Sequence, residues 1–362
     1  MLMRKILILL FSILLLSGCS LNTLSTESTA SPPVIGKPKN ITLLVPLEGA
    51  NGTSGQAIRN GFLAAYYYAK QNMSDAPAIN VVDSNSGNIS ALYQEAVAKG
   101  ADFVVGPLIK QHVQTLATQA DPLTVPVLAL NSTDAKKTVN LYQFGLSPLD
   151  EAEQVATHAK QANLSSAVII TPAGNWGNDV ANAFATQWQK LGGSVTYRLA
   201  YPSRGDMTLM VQKALKNGTA NPDMVFLVAS NGYARQIKPL ISFYGRSLPI
   251  YATSLVYSGT PSKQDNDLDG IIFNDMPWII GNDTAALSQI RSHIQTLWSD
   301  SYNHSPRLYA LGIDAYNLTA TFDQLSSGVD GASGRLTLDA NQRVRRSLDW
   351  AKFKAGVPQK IE

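Results

Sequence analysis

The sequence predicts an α/β protein of two Rossmann-like lobes, each built on a parallel sheet, joined by crossing hinge strands. Three observations predict it. Short apolar runs alternate with helix-period segments from Ile41 onward; the series starts afresh after residues 141–145; and the second series is followed by a strand, two helices and a short β tail. Strands at such intervals need crossover connections, so neighbours run parallel and both sheet faces are covered. That topology puts a cleft between the lobes with the carboxyl ends of the strands at its rim.

The chain opens on Arg4-Lys5 and an apolar stretch over residues 6–16, too short for a membrane span and of the length of a secretory signal. The run Leu16-Ser17-Gly18-Cys19 ends on the only cysteine of the chain. It resembles the lipobox of bacterial lipoproteins, which implies cleavage after residue 18 and acylation of Cys19. Each buried CH₂ contributes roughly 0.8 kcal/mol, so several acyl chains hold a protein at a bilayer stably. By the same resemblance Ser20, standing where inner-membrane-retained lipoproteins usually carry Asp, implies the outer membrane, with the body in the periplasm. Residues 20–39 are rich in Ser, Thr and Pro and read as a tether of about 65 Å at most.

Removing residues 1–18 takes Arg4 and Lys5 and leaves 27 basic and 26 acidic side chains, a formal charge of +1. That balance offers no footprint for nucleic acid. A chain of this length exceeds what one core usually serves, which again favours two lobes.

In the first lobe, strands are expected at residues 41–45, 79–82, 102–105 and 125–130. Ser54 is the expected N-cap of a helix whose stripe is Ile58, Phe62, Ala65 and Ala69. The second lobe has strands at 167–171, 194–199, 224–229 and 249–252, with a helical stripe at Val180, Phe184, Trp188 and Leu191. After a strand at 270–274 come helices near 287–302 and 311–325, then β segments at 334–338 and 350–353. The expected organisation is lobe 1 from residues 40–145 and 270–327, lobe 2 from 146–252 and 328–355, and a crossover segment at 253–269.

Gly52-Thr53-Ser54-Gly55 is not a hydrolase nucleophile elbow, and no Ser-x-x-Lys occurs. Nor is there a Gly-rich phosphate cradle. His112, His158, His293 and His304 lack metal-ligand spacing. Asp265 to Gly270 matches the first half of a calcium loop, but the twelfth position is Met276 and a strand follows. No cofactor and no metal are expected.

Several longer motifs match one family. They include Leu43-Leu44-Val45-Pro46-Leu47, Gly55-Gln56-Ala57-Ile58-Arg59-Asn60-Gly61-Phe62, Gly100-Ala101-Asp102-Phe103-Val104-Val105-Gly106-Pro107, Asp275-Met276-Pro277-Trp278 and Leu308-Tyr309-Ala310-Leu311-Gly312-Ile313-Asp314-Ala315-Tyr316. From about residue 40 to about 355 the chain resembles the carboxy-terminal domain of the LppC lipoproteins, the penicillin-binding protein activators called LpoA. The resemblance implies a type I periplasmic-binding-protein fold on an outer-membrane lipoprotein. It also implies a non-enzymatic regulator that binds a bifunctional penicillin-binding protein of the 1A type and stimulates its transpeptidase. Longer members carry a helical-repeat domain between the lipidated cysteine and this fold, where here only residues 20–39 stand.

Three groups at the expected cleft carry the residue-level readings. Asn131, Ser132 and Thr133 follow the fourth strand of lobe 1; Asn175 and Trp176 follow the first strand of lobe 2; Ser254 follows the strand at 249–252. In solute receptors of this fold such positions hold a ligand. Equally, Ser132 or Thr133 and Asn175 or Asn178 serve as helix caps. The alternative function is therefore a lipid-anchored solute-binding protein for an amino acid, a peptide or a cell-wall fragment.

Overall fold

In lobe 1 the chain enters at β1 (Asn40–Val45), whose last five residues are buried. A computed structural model describes residues 35–134, 137–216, 221–245 and 247–362. The signal, Cys19 and most of the tether lie outside the described residues.

After a short 3₁₀ turn comes α1 (Gly52–Lys70). Ile58, Phe62 and Ala65 of its expected stripe are buried. Its N-cap is Asn51, without a side-chain bond, and Ser54 lies inside the helix. The earlier start follows from crowding. A Cβ at position 55 would sit 1.7 Å from the carbonyl oxygen of Pro46, so only glycine lets the helix fold back this closely on the strand.

The lobe continues with β2 (Ala78–Asp83), α2 (Ile89–Ala98), β3 (Phe103–Val105), α3 (Lys110–Thr118), β4 (Val127–Ala129) and β5 (Leu141–Phe144). The Asn88 side chain caps α2 by accepting from the N–H groups of Ser90 and Ala91. β1 through β5 pair in parallel. The apolar run at 141–144, expected only as the boundary before lobe 2, is thus a strand of lobe 1.

Lobe 2 holds α4 (Pro148–Gln161), β6 (Ser166–Pro172), α5 (Asn175–Lys190), β7 (Ser194–Tyr201), α6 (Met207–Lys216), β8 (Met224–Leu227), α7 (Asn231–Gly245), β9 (Ile250–Ala252) and β10 (Ile272–Asp275). Val180, Phe184 and Trp188 are fully buried on α5, with the Trp188 indole N–H donating to the carbonyl of Ser194. The chain then returns through α8 (Pro277–Ile280), α9 (Ala285–His304) and α10 (Pro306–Thr321), followed by β11 (Val329–Gly331), β12 (Gly334–Leu338), β13 (Arg343–Ser347), β14 (Asp349–Lys354) and β15 (Val357–Ile361).

The two sheets run β11-β12-β13-β5-β4-β3-β1-β2 and β15-β14-β10-β9-β8-β6-β7. Both are mixed, because β11, β12, β14 and β15 add antiparallel pairings to parallel cores. This redistributes three stretches. β10, expected in lobe 1, pairs in parallel with β9 of lobe 2. β12 and β13, expected in lobe 2, extend the sheet of lobe 1 through β5. Residues 253–269 do not cross between lobes but fold back over lobe 2, where Val256, Tyr257 and Leu268 enter the core. A short apolar run announces a strand but not its neighbour, and pairing partners so distant in sequence leave no local signal.

The crossings fall after β5, after β10 and after β13. Because β5 and β10 leave their parallel neighbours directly into crossings, the carboxyl ends of both sheets face the seam. The start of β1 lies at the opposite pole of lobe 1. There the Asp102 carboxylate accepts from the backbone N–H groups of Lys39 and Asn40.

Candidate functional site

The seam is where both sheets direct their strand ends, and its chemistry is that of buried ion pairs. Ser147, the first residue past the first crossing, caps α4 by accepting from the N–H of Asp150, and Pro148 opens the helix. This places Glu151 in the first turn, buried in the seam. One carboxylate oxygen accepts from the Ser254 N–H at 3.1 Å and from its hydroxyl at 2.8 Å. The other lies 3.8 Å from the Arg346 guanidinium of β13, across the seam. Burial pushes the Glu151 carboxyl above its ordinary range, and Arg346 pulls it back. Burial likewise lowers Arg346. Its guanidinium also donates to the carbonyls of Gly145 and Ser333.

A second bridge comes from Arg307, in the first turn of α10. It donates to both Asp275 carboxylate oxygens at the end of β10 and to the carbonyls of Ser254 and Tyr257. Burial alone would lower Arg307; the Asp275 carboxylate outweighs it and raises it. A third set stands beside them on lobe 1. Asp314 of α10 accepts from the N–H groups of Ala332 and Ser333 and from the Ser333 hydroxyl, and burial raises its carboxyl to about 6. Lobe 1 arginines thus meet lobe 2 carboxylates and carbonyls, and breaking either pair would leave a charge buried and unpaired.

The residues expected to hold a ligand do not form one site. Ser254 is committed to Glu151. The Asn131 side chain donates to the Leu108 carbonyl and accepts from the Ser132 N–H. The Thr133 N–H donates to Gln143. Among the described residues no helix follows Ser132 and Thr133 before β5, so neither serves as a helix cap. Ser132 does line a recess of about 20 Å³ with Asp150 and Arg343, room for a single water. Asn175 is the first residue of α5 and its cap is Gly174, so neither Asn175 nor Asn178 caps it. Trp176 is 46% exposed.

Sequence reasoning missed a cavity of about 230 Å³ in lobe 2, lined by Pro172, Ala173, Tyr201, Ser203, Ser230, Tyr233 and Leu255. The Tyr201 hydroxyl donates to the Val228 carbonyl and that of Tyr233 to the Ser203 carbonyl, so both rings stand as fixed walls. No charged side chain lines it. Two carboxylates of the acidic run at 265–269 are likewise spent internally. Asp265 accepts from Arg235 and Asn231, and Asp269 from the N–H groups of Ala355 and Gly356.

Comparison with known proteins bears on both the fold and the anchor. Residues 34–356 match the family model described as "LppC putative lipoprotein", and residues 3–20 match the prokaryotic membrane lipoprotein lipid attachment site. The penicillin-binding protein activator LpoA of Vibrio antiquarius is 30% identical over 354 residues, covering 88% of this chain and 58% of that protein. The protein of the same name from Escherichia coli K12 is 28% identical over 322 residues, covering 77% and 46%. The chain thus spans about half the length of the curated relatives it matches.

Among solved structures, the LpoA C-domain of Haemophilus influenzae, described as a regulator of PBP1A, superposes with a TM-score of 0.75 at 26% identity. The match covers 89% of this chain and all of that one. A putative branched-chain amino acid ABC transporter protein from Rhodospirillum rubrum, 17% identical, shares the fold with a TM-score of 0.74. The two-lobed body is therefore periplasmic-binding-protein-like, and the attachment site makes this a lipid-anchored periplasmic protein. On its family match over nearly the whole body, the chain belongs to the LppC lipoprotein family.

Proposed function

We propose that this protein is an outer-membrane lipoprotein, acylated at Cys19. It regulates peptidoglycan synthesis by binding a bifunctional penicillin-binding protein of the 1A type and raising its transpeptidase activity. The observation that carries the reading is the superposition of the whole body on the Haemophilus LpoA C-domain. The seam supports it physically. Lobe 1 arginines are engaged with lobe 2 carboxylates across the seam, and Ser254 is committed to Glu151, which suits a body presenting a fixed outer surface. It acts without chemistry of its own, and raises turnover only by binding the active arrangement of the synthase better than the inactive one.

The test is the transpeptidase rate of the host's purified 1A-type synthase in detergent, with the full-length lipoprotein titrated in. A saturable rise is expected. Unchanged rate together with no binding would refute the reading.

A second reading, a solute-binding protein, has the lobe 2 cavity in its favour. Its uncharged lining suits a small neutral ring and not the ammonium and carboxylate of an amino acid. A ligand of that kind would raise the melting temperature in step with its concentration. Replacing Tyr233 with Ala would abolish the shift, whereas changing Ser132 or Trp176 would not.

A further inference from the structure

The tether enters the body at the outer pole of lobe 1, and the opposite pole carries a feature that the fold does not use. The carboxyl ends of β6, β8 and β9 face the seam, so the turns before these strands and the carboxyl ends of α6 and α7 gather at the far pole of lobe 2. There Phe243 is 77% exposed. Its ring stands edge-on to that of Tyr244, with centroids 4.9 Å apart. The Lys216 ammonium lies 5.2 Å from the Tyr244 ring centroid, and Lys213, one turn earlier on α6, is exposed.

Two carboxylates of this pole are tied to backbone N–H groups. Asp223 accepts from the N–H groups of Ser165 and Ser166, and Asp269 from those of Ala355 and Gly356; Asp223 and Asp267 are exposed. An exposed phenylalanine beside a half-buried tyrosine, flanked by cations, is the pattern of an interface anchor with a charged rim.

We propose that Phe243 and Tyr244, with Lys213 and Lys216, form the surface on which the synthase docks. Phe243 seats in an apolar pocket and the lysines face acidic side chains of the synthase's periplasmic part. The assignment rests on the activator reading above. Two observations commit the occupant. The tether of residues 20–39 joins the body at the other end, so this pole is the one a partner rooted in the facing membrane meets first. The lysines select an acidic surface and not a basic one.

The test uses the full-length lipoprotein and the purified synthase in detergent micelles, with Kd measured at about 50 and about 300 mM salt. Phe243→Ser is expected to weaken binding at least about tenfold. The double change Lys213→Glu with Lys216→Glu is expected to weaken it similarly and to flatten its salt dependence. Tyr67→Ser, on an exposed ring of lobe 1, leaves affinity unchanged. All four substitutions are at the surface, and retained far-UV dichroism and thermal midpoint in the three variants confirm folding. If wild type binds saturably while the two lobe 2 variants bind within about twofold of it, the patch is refuted and the activator reading stands. Equal weakening by Tyr67→Ser also refutes the patch. If wild type does not bind, both ideas fall together.

Discussion

Asp314 shows how a single buried carboxyl couples this fold to pH. It ties the β11–β12 turn to α10, and burial raises it to about 6, against roughly 3.9 in an unfolded chain. A carboxyl raised on folding stabilises most below the unfolded value, and that contribution is lost as pH rises through the folded one. The advantage of wild type over Asp314→Asn should therefore be larger near pH 4 than near pH 7, as measured by denaturant unfolding at both. An unchanged difference would show that the carboxyl is not raised.

Arg307→Met strands the Asp275 carboxylate and should cost about 3–5 kcal/mol in the same assay. None of these roles was legible in the sequence. Glu151 and Ser254 lie 103 positions apart, and Arg346 is farther still, so no spacing announces the pairings. Ser254 was legible as a residue of the seam, but its job there is to satisfy a carboxylate of the protein itself.

At the scale of elements, α1 and α10 cross so closely that side chains are excluded from the contact. A Cβ on Gly61 would lie 2.2 Å from the Tyr309 carbonyl oxygen, and one on Gly312 would lie 2.1 Å from that of Ile58. Gly312→Ala should destabilise by about 1–3 kcal/mol through overpacking. Gly232→Ala, in the first turn of α7 with open space around it, should be neutral or stabilise by up to about 1 kcal/mol. Thermal midpoints of the two variants would order them. Apolar strands and helical stripes were readable because periodicity reports burial directly. β13 was not, since Arg343-Val344-Arg345-Arg346-Ser347 carries one apolar residue and looks solvated. Arg346 is nonetheless buried, its charge met by Glu151 and by two carbonyls.

For the whole molecule, the anchor sets where the body works. Cys19→Ser should move the protein from the membrane to the soluble periplasmic fraction, and, on the outer-membrane location proposed above, Ser20→Asp should shift it to the inner membrane on a density gradient. Persistence of Cys19→Ser in the membrane fraction would mean that another segment holds it there.

The braiding of the lobes bears on export. β14 and β15 form one side of the lobe 2 sheet and are the last strands of the chain, while β13, just before them, joins lobe 1 to its outer hairpin. A polypeptide delivered amino end first cannot finish either lobe until β13 to β15 emerge. Until then the edge of β10 that β14 will cover stays open, a ready template for pairing with another chain. Completion of both sheets therefore waits for the segment from β13 to β15, and a periplasmic chaperone that shields the β10 edge would act in the interval before these strands arrive.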